Sequence, residues 1–403
     1  MILIILVEYF WDFLLETLNR YNWVANVPEE LADIYPNEKF LKQKKYQADN
    51  YIMGSVSSTL SVLLILIILG FYGFAWLNEF TINITSHWLW QPLIFMGVIG
   101  LGSVIISLPF SYYNTFVIEQ RYGFNKTTPA IFWSDTVKSL FIGAIIGGVI
   151  LGLLIWFYNV TGTLFWLYGW IVITLFMLFF GKFYTTIILP LFNKLEPLED
   201  GELKTLITTI SLKANFSLEN IYVMDSSKRS TKSNAFFSGF GKNKKIVLFD
   251  TLIEELTPNE IAAVLAHEIG HFKQKHIVKS LILGALQNGL MFFLLGWFIN
   301  EPLIALAFGV KEPSFHIGLL GFGLLYTPIS ALLGLGMTIL SRKNEYEADA
   351  FAAKYVDAEY LISALKKISA SALSNPVPHP LYVYFNYSHP TLLSRIKALS
   401  KTS

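Results

Sequence analysis

Long apolar stretches are the feature that most constrains how this chain can fold. A helix needs about 20 predominantly apolar residues to cross a lipid bilayer, and seven stretches approach or exceed that length. Only 15% of the 403 residues are charged, whereas a soluble domain carries about 25%. The sequence therefore predicts a mainly α-helical, polytopic membrane protein with seven transmembrane helices, at roughly 1–18, 55–77, 89–110, 138–158, 165–182, 280–300 and 317–340.

The first of these stretches carries three acidic residues on one helical face. Glu8, Asp12 and Glu16 follow one another at intervals of four residues, so they line up along one side of a helix. Carboxylates that face lipid are costly, so this stripe is expected to face protein or a water-filled cavity. The alternative is that residues 1–18 lie at the membrane surface as an amphipathic helix. Because the stretch has no basic n-region, it is interpreted as a retained helix and not as a cleaved signal peptide.

Basic residues alternate between the connecting loops. The segments after the first, third, fifth and seventh helices carry lysine or arginine, whereas 78–88 and 159–164 carry neither and 301–316 has only Lys311. The positive-inside rule then places the N-terminus outside and the C-terminus in the cytoplasm. This predicts four regions: five membrane helices in 1–182, a cytoplasmic insert in 183–279, two membrane helices in 280–340 and a cytoplasmic tail in 341–403.

The segment 264-VLAHEIGHFKQKH-276 contains the pattern H-E-x-x-H. On a helix, His267 and His271 lie one turn apart on one face and can hold one metal ion. Thr257 is a candidate N-cap for the start of this helix. Glu268 lies about 100° round the helix, where its carboxylate can reach a water on that metal. The pattern predicts a zinc hydrolase with Glu268 as general base. The alternative is a helix with two solvated histidines.

A third metal ligand is predicted in the helix 341-SRKNEYEADAFAAKY-355. Glu345 and Asp349 are four residues apart and share a face. A catalytic zinc site takes three protein ligands and keeps one open position, so Glu345 is predicted as the third ligand. Asp349 is predicted to accept the remaining N–H of a ligating imidazole. A solvated acidic face is the alternative for this pair, and it is the interpretation chosen for Glu347.

Two cationic residues near the C-terminus are candidates for stabilising an oxyanion. His389 and Arg395 lie in 386-NYSHPTLLSRIKAL-399, and either side chain can donate to the oxygen of a tetrahedral intermediate. The alternatives are a first-turn helix residue for His389 and a surface salt bridge for Arg395. Spacing alone does not decide between these interpretations.

The cytoplasmic insert is predicted to contain a short sheet. A helical run near 200–215 is followed by strand-like runs at 220–225, 234–240 and 244–250, and 241-GKNK-244 is predicted to close a hairpin between the last two. An edge strand near the metal helix could pair with an extended peptide. Asn234 begins that strand, although the local pattern alone favours a turn residue.

Several function classes are disfavoured by the composition. The absence of cysteine excludes disulfides, thiolate metal sites and a cysteine nucleophile, and a net charge of +1 gives no footprint for nucleic acid. The spans do not divide into matching halves, which weakens a transporter interpretation. A channel or carrier with structural zinc is also disfavoured, because such a site takes four protein ligands and needs no base.

Over nearly its whole length the chain resembles the type 1 CAAX prenyl proteases, which are integral-membrane zinc metallopeptidases. The most specific of the matching motifs is 225-DSSKRSTKSNAFFSGFGKNKKIVLFDTL-252. The others are 108-LPFSYYNTFVIEQRYGFNKTT-128, 190-PLFNKLEPL-198, 264-VLAHEIGHFKQKH-276, 341-SRKNEYEADAFA-352 and 388-SHPTLLSRI-396.

This resemblance implies a fold and a set of site residues. The seven helices would form a barrel around a water-filled chamber, closed by a cytoplasmic α+β, zincin-like domain whose zinc site faces the chamber. By resemblance, His267, His271 and Glu345 match the zinc ligands, and Glu268 matches the catalytic base. Asp349 matches an acid that is sometimes assigned as proton donor, and Asn234 matches the substrate-strand position. His389 and Arg395 match residues that support the scissile carbonyl.

The resemblance also implies a substrate and a cofactor. Family members remove the last three residues of a C-terminal C-a-a-X sequence after its cysteine is prenylated, with one Zn²⁺ per chain. A monomer in a lipid bilayer, with a peptide or protein C-terminus as partner and no nucleic acid, is expected. The short insert and tail, without an obvious ER-retrieval signal, favour a bacterial inner-membrane member, or the ER membrane if the source is eukaryotic. The alternative function is a membrane-protein quality-control zinc protease with no prenyl requirement.

Overall fold

The computed structural model of the protein describes residues 1–22, 27–216, 221–238 and 245–401. These residues are mainly helical, with one small mixed sheet. The helices up to residue 183 are α1 (Ile2–Tyr21), α2 (Asn37–Gly70), α3 (Gly73–Ile84), α4 (Trp90–Tyr113), α5 (Gln120–Tyr122), α6 (Pro129–Thr161) and α7 (Phe165–Phe183). Those that follow are α8 (Glu202–Lys213), α9 (Asp250–Glu255), α10 (Pro258–Lys273), α11 (His276–Phe298), α12 (Pro302–Ala307), α13 (Phe315–Ala352), α14 (Ala358–Ser371), α15 (Pro380–Asn386) and α16 (Leu392–Leu399).

Five helical segments of the described chain are long and apolar enough to cross a membrane. The first predicted stretch, 1–18, falls in α1, which is not one of these five. One segment contains both α6 and α7, joined by the turn Gly162–Leu164, and so covers two predicted stretches. The five segments are Asn37–Gly70, Trp90–Tyr122, Pro129–Leu191, His276–Phe298 and Phe315–Ala352.

Two predicted boundaries differ from the structure. The stretch predicted at 55–77 is broken between α2 and α3, because Tyr72 adopts a left-handed backbone with φ of 55°. The stretch predicted at 317–340 and the helix predicted at 341–355 are one continuous helix, α13. Only the polarity changes near Ser341, where neither glycine nor proline interrupts the helix. The membrane segment therefore runs directly into the helix that carries Glu345.

The seven longest helices of the described residues contact one another in a closed ring. α1 packs on α2, α2 on α4, α4 on α6, α6 on α7, α7 on α11, α11 on α13, and α13 on α1. Apolar side chains from α3, α4, α12 and α13 fill one end of this ring, where Phe95 and Ile317 are fully buried. The opposite end, where α11 begins and α13 ends, leads to the sheet and α10.

The sheet has four strands in the order β1–β2–β4–β3: β1 (Leu195–Pro197), β2 (Ile221–Met224), β4 (Lys245–Phe249) and β3 (Ala235–Ser238). β2 and β4 are parallel, and the other two pairs are antiparallel. The three predicted strands correspond to β2, β3 and β4, whereas the hairpin turn predicted at 241–244 lies outside the described residues. β1 was not predicted, because three residues that end in proline carry no alternation. β3 is an edge strand, as predicted.

The helix α10 is capped at its start and closely packed near its end. Thr257 Oγ1 accepts the N–H of Glu260, while Glu260 Oε2 accepts the N–H of Thr257 at 2.8 Å, so each residue satisfies the other's free donor. Ile261 and Leu265 are buried against the sheet. Near the other end, a Cβ on Gly270 would lie 3.1 Å from the Ala348 backbone. The glycine therefore lets α10 cross α13 at close range.

We expect Glu260→Gln to destabilise the protein at neutral pH and to reduce its sensitivity to acid. Burial raises the pKa of Glu260, but hydrogen bonds from Lys367, Ser363 and Thr257 outweigh it and lower the pKa. A carboxylate whose pKa is lower in the folded than in the unfolded protein stabilises the folded state at pH values above its unfolded pKa, about 4.3. That stabilisation is lost as the pH falls through the pKa of the folded state. The expected cost at pH 7 is about 1–3 kcal/mol.

Thermal unfolding of the detergent-solubilised variants between pH 3.5 and 7 measures this effect. Glu359→Gln is the control, because Glu359 is exposed in the first turn of α14. The control should follow the parent at every pH. A parental unfolding profile for Glu260→Gln would contradict the prediction.

Candidate active site

The crossing of α10 and α13 brings three potential metal ligands together. His267 and His271 project from α10, and Glu345 projects from α13; their ligand atoms all lie within 4.8 Å of one another. The two Nε2 atoms are 3.1 Å apart. Glu345 Oε1 lies 3.3 Å from His271 Nε2, and Oε2 lies 3.5 Å from His267 Nε2. The three side chains converge on one point.

This group has the geometry and donor chemistry of a zinc site. Ligands at about 2.0–2.1 Å from a zinc ion, in tetrahedral arrangement, lie about 3.3 Å from one another. The shortest separations in this group, 3.1, 3.3 and 3.5 Å, are close to that value. Glu345 Oε2 is buried and accepts no hydrogen bond within the described part of the chain. Two imidazoles and a carboxylate are donors typical of a catalytic zinc. The residues present therefore fit a divalent metal ion.

Asp349 and Arg395 form an ion pair that contacts two residues of the ligand group, His267 and Glu345. Asp349 Oδ1 lies 2.8 Å from Nδ1 of His267, so it can fix that ring with Nε2 toward the ligand centre. Arg395 donates from Nε and Nη2 to Asp349 at 2.8 and 2.6 Å, and its Nη1 lies 3.2 Å from Glu345 Oε2. Arg395 is 8% exposed, and its guanidinium neutralises two buried carboxylates. α16, which begins after the Thr391 cap, holds it in place.

The protonation of two residues on α10 is shifted by this environment. Burial would lower the pKa of His267, but the carboxylates of Asp349 and Glu345 beside its ring outweigh burial and raise the pKa to about 9. A metal ion competes with that proton, because a ligating imidazole is neutral. Burial raises the pKa of Glu268, and the nearby histidines only partly offset this. A carboxylate with a raised pKa suits a general base.

The other predicted site residues lie in two different places. His389 is beside the ligand group, with Nε2 3.2 Å from Glu345 Oε1, and its side chain is 62% exposed. Asn234 lies just before β3, where its carbonyl accepts the N–H of Phe249 and its Oδ1 accepts that of Ala235. The structure therefore brings His389 to the ligand group and places Asn234 at the start of the edge strand.

β3 is joined to the ligand helix by aromatic packing. The rings of Phe237 on β3 and Phe272 on α10 have centroids 5.6 Å apart, and Phe216 contacts both. This packing fixes the edge strand against the helix that carries both ligand histidines.

The sequence analysis did not identify a further histidine at the site, His276, which contacts His271. His276 Nδ1 lies 3.0 Å from His271 Nδ1, and His276 Nε2 lies 3.0 Å from Glu347 Oε2. Glu347 was interpreted as a solvated residue, which is wrong, because it pairs with a histidine that is 3% exposed. The five-residue spacing from His271 to His276 is not a helical one. The signal was the third histidine itself, in a chain with only seven.

Comparison with known proteins gives matches along nearly the whole chain. A family model described as CAAX prenyl protease N-terminal, five membrane helices, matches residues 17–194, and a model described as peptidase family M48 matches residues 197–403. The human CAAX prenyl protease 1 homolog is 34% identical over 448 residues, covering 97% of this chain and 92% of that protein. CAAX prenyl protease 1 of Saccharomyces cerevisiae is 38% identical, covering 78% of this chain and 73% of that protein.

A solved structure extends the match to the fold. The crystal structure of S. mikatae Ste24p is similar with a TM-score of 0.93 and 32% sequence identity, over 99% of this chain and 97% of that one. These findings confirm the resemblance found in the sequence motifs. The chain therefore belongs to the CAAX prenyl protease 1 family of multi-pass membrane metalloproteases, within peptidase family M48.

Proposed function

We propose that this protein is a zinc endopeptidase that cleaves near the C-terminus of prenylated, CAAX-type proteins or peptides. The observation that carries the proposal is the converging group of His267, His271 and Glu345, with Glu268 directly after His267 on α10. The names of the relatives supply the substrate class, which comes to this chain by its similarity to them.

We infer that the ring of seven helices spans the membrane as a barrel around an internal chamber. A cavity of about 790 Å³ beside α1 and α2 supports this, because the acidic stripe Glu8, Asp12 and Glu16 lines it. Carboxylates on a membrane helix are expected to face such a polar space. Tyr382 and Tyr387 of the C-terminal region line the same cavity. We place the sheet, α10 and the tail on the cytoplasmic side, following the loop charges.

The side chains divide the chemistry of hydrolysis between them. His267, His271 and Glu345 would hold the zinc ion, which would supply Lewis-acid activation of a water and of the peptide carbonyl. Glu268 accepts the proton of the attacking water and returns it to the leaving amine. Asp349 keeps His267 in the tautomer that presents Nε2.

His389 and Arg395 take different roles in this proposal. His389 is exposed beside Glu345, so it can donate to the carbonyl oxygen as negative charge develops there. The sequence makes Arg395 a candidate donor to the same oxygen, but its guanidinium is buried and donates to Asp349. Arg395 therefore positions Asp349 and Glu345.

The edge strand β3 supplies a place for the peptide backbone. Among the described residues, no strand pairs with its outer edge, so an extended peptide can add to it by main-chain hydrogen bonds. Asn234 precedes this edge and is proposed to orient the peptide as it enters. The packing of Phe237 on Phe272 keeps the strand next to the ligand helix.

The test is cleavage of a farnesylated C-a-a-X peptide beside its unprenylated twin by the purified full-length protein. We expect the prenylated peptide to be cut after its cysteine, cleavage to stop with a zinc chelator and to return when zinc is added back. Equal cleavage of both peptides would favour the quality-control protease without a prenyl requirement. Cleavage that survives removal of the metal would contradict the proposed mechanism.

A further inference from the structure

The two ligand histidines are supported in different ways. His267 is backed directly by a carboxylate, since Asp349 Oδ1 lies 2.8 Å from its Nδ1. Within the described residues, no carboxylate contacts Nδ1 of His271; that atom faces Nδ1 of His276 at 3.0 Å. His276 Nε2 in turn faces Glu347 Oε2 at 3.0 Å. His271 is thus connected to a carboxylate through a second imidazole.

In this series of hydrogen bonds from His271 through His276 to Glu347, the direction of each bond fixes the direction of the next one. When Nε2 of His271 is the ligand atom, its Nδ1 carries the proton and donates to Nδ1 of His276. His276 then carries its own proton on Nε2, which donates to the carboxylate of Glu347. Every donor has one acceptor, and only one pair of tautomers satisfies both contacts.

The backbone is shaped to place His276 at this point. Lys275, between α10 and α11, adopts a left-handed conformation with φ of 58°, so the chain turns sharply before His276 begins α11. This turn folds the buried His276 ring back against His271. Glu347 comes from α13, two residues beyond Glu345 and 34% exposed at its side chain. The chain of bonds therefore links α10, α11 and α13 at the ligand group.

We propose that His276 and Glu347 are positioning residues that hold His271 in the tautomer and orientation needed for metal binding. This inference rests on the metal-binding role proposed above for His267, His271 and Glu345. A purely structural role for His276, as a buried histidine that ties α11 to α13, predicts a different result. It would change the stability of the protein without changing its affinity for metal.

The experiment measures metal affinity in the purified full-length protein. The Zn²⁺ dissociation constant is obtained by competition with a chromogenic chelator, together with the absorption spectrum of the Co²⁺-loaded protein. We expect His276→Leu to raise the dissociation constant about 10- to 100-fold and to change the Co²⁺ spectrum. His276→Asn keeps an acceptor oxygen near the Nδ1 position, so it should restore most of the affinity. The unfolding temperature of the metal-free variants is measured in parallel.

Two further variants keep the test decisive if His276→Leu does not fold. Glu347→Ala removes the last acceptor from a partly exposed position and should weaken metal binding several-fold. Lys343→Met is the matched control, because it removes the ion pair of Lys343 Nζ with Glu347, at 3.7 Å, while His276 and Glu347 remain. Its metal affinity should equal that of the parent.

The outcomes separate this inference from the proposed function. A parent that binds no metal would overturn both. A parent that binds one ion, with His276→Leu or Glu347→Ala binding as tightly as Lys343→Met, would overturn only the positioning role. Equal loss of affinity in His276→Leu and His276→Asn would also overturn it, because the acceptor atom would then be irrelevant.

Discussion

Glu268→Gln is expected to lower kcat for peptide hydrolysis about 10²- to 10⁴-fold. Glu268 lies beside the ligand group without belonging to it, and burial raises its pKa. Glutamine fills the same space but cannot accept the proton of the attacking water. Removing the base therefore stops proton transfer while the three ligands remain. The measurement is kcat and KM on the peptide that the parent cleaves, with metal content determined on the same samples.

The metal content makes this result interpretable. We expect Glu268→Gln to retain one metal ion with a dissociation constant close to that of the parent. Glu254→Gln is the matched control, since Glu254 is exposed on α9 and should leave both kcat and metal content unchanged. Parental kcat in Glu268→Gln would exclude the residue as general base. Loss of metal in that variant would instead show that Glu268 helps to form the ligand group.

Arg395→Met is expected to destabilise the folded protein by about 3–5 kcal/mol, because it leaves two buried carboxylates without their guanidinium partner. Asp349 is 2% exposed and receives two hydrogen bonds from the Arg395 guanidinium, at 2.6 and 2.8 Å. Glu345 is 4% exposed, with Oε2 3.2 Å from the same group. Thermal unfolding of the metal-free protein measures the loss.

Two comparisons identify the cause of this loss. Arg121→Met removes an arginine whose ion pair with Asp49 is at the surface, so its unfolding temperature should stay near that of the parent. Adding Asp349→Asn to Arg395→Met removes one orphaned charge, so the double variant should be more stable than the sum of the single effects predicts. Strict additivity would argue against an electrostatic origin.

The ligand group was accessible from sequence because its geometry is local. His267 and His271, and likewise Glu345 and Asp349, are four residues apart, and an α-helix puts such residues on one face wherever it packs. The chemistry of zinc then supplied the link between the two helices, since the pair on α10 needed a third ligand. What the pattern could not show was that α13 reaches the site without a break.

The rest of the site depends on contacts between distant segments. The positions of Arg395 and His276 follow from the docking of α16 and from the left-handed turn at Lys275, and neither has a periodic signal. For the same reason, spacing could not decide whether Arg395 donates to substrate or to Asp349. Whether residues 1–18 span the bilayer is also beyond periodicity, because α1 mixes carboxylates with apolar residues.

The continuity of α13 has a mechanical consequence. A helix of 38 residues is about 57 Å long, whereas the hydrocarbon core is about 30 Å thick. Its buried ligand end and the apolar part that is long enough to cross a membrane belong to one helix, which can bend at Pro328. If the apolar part of α13 tilts to match the thickness of the bilayer, the end that carries Glu345 tilts with it, unless the helix bends at Pro328. Hydrophobic mismatch and ligand geometry are thus coupled through a single element of secondary structure.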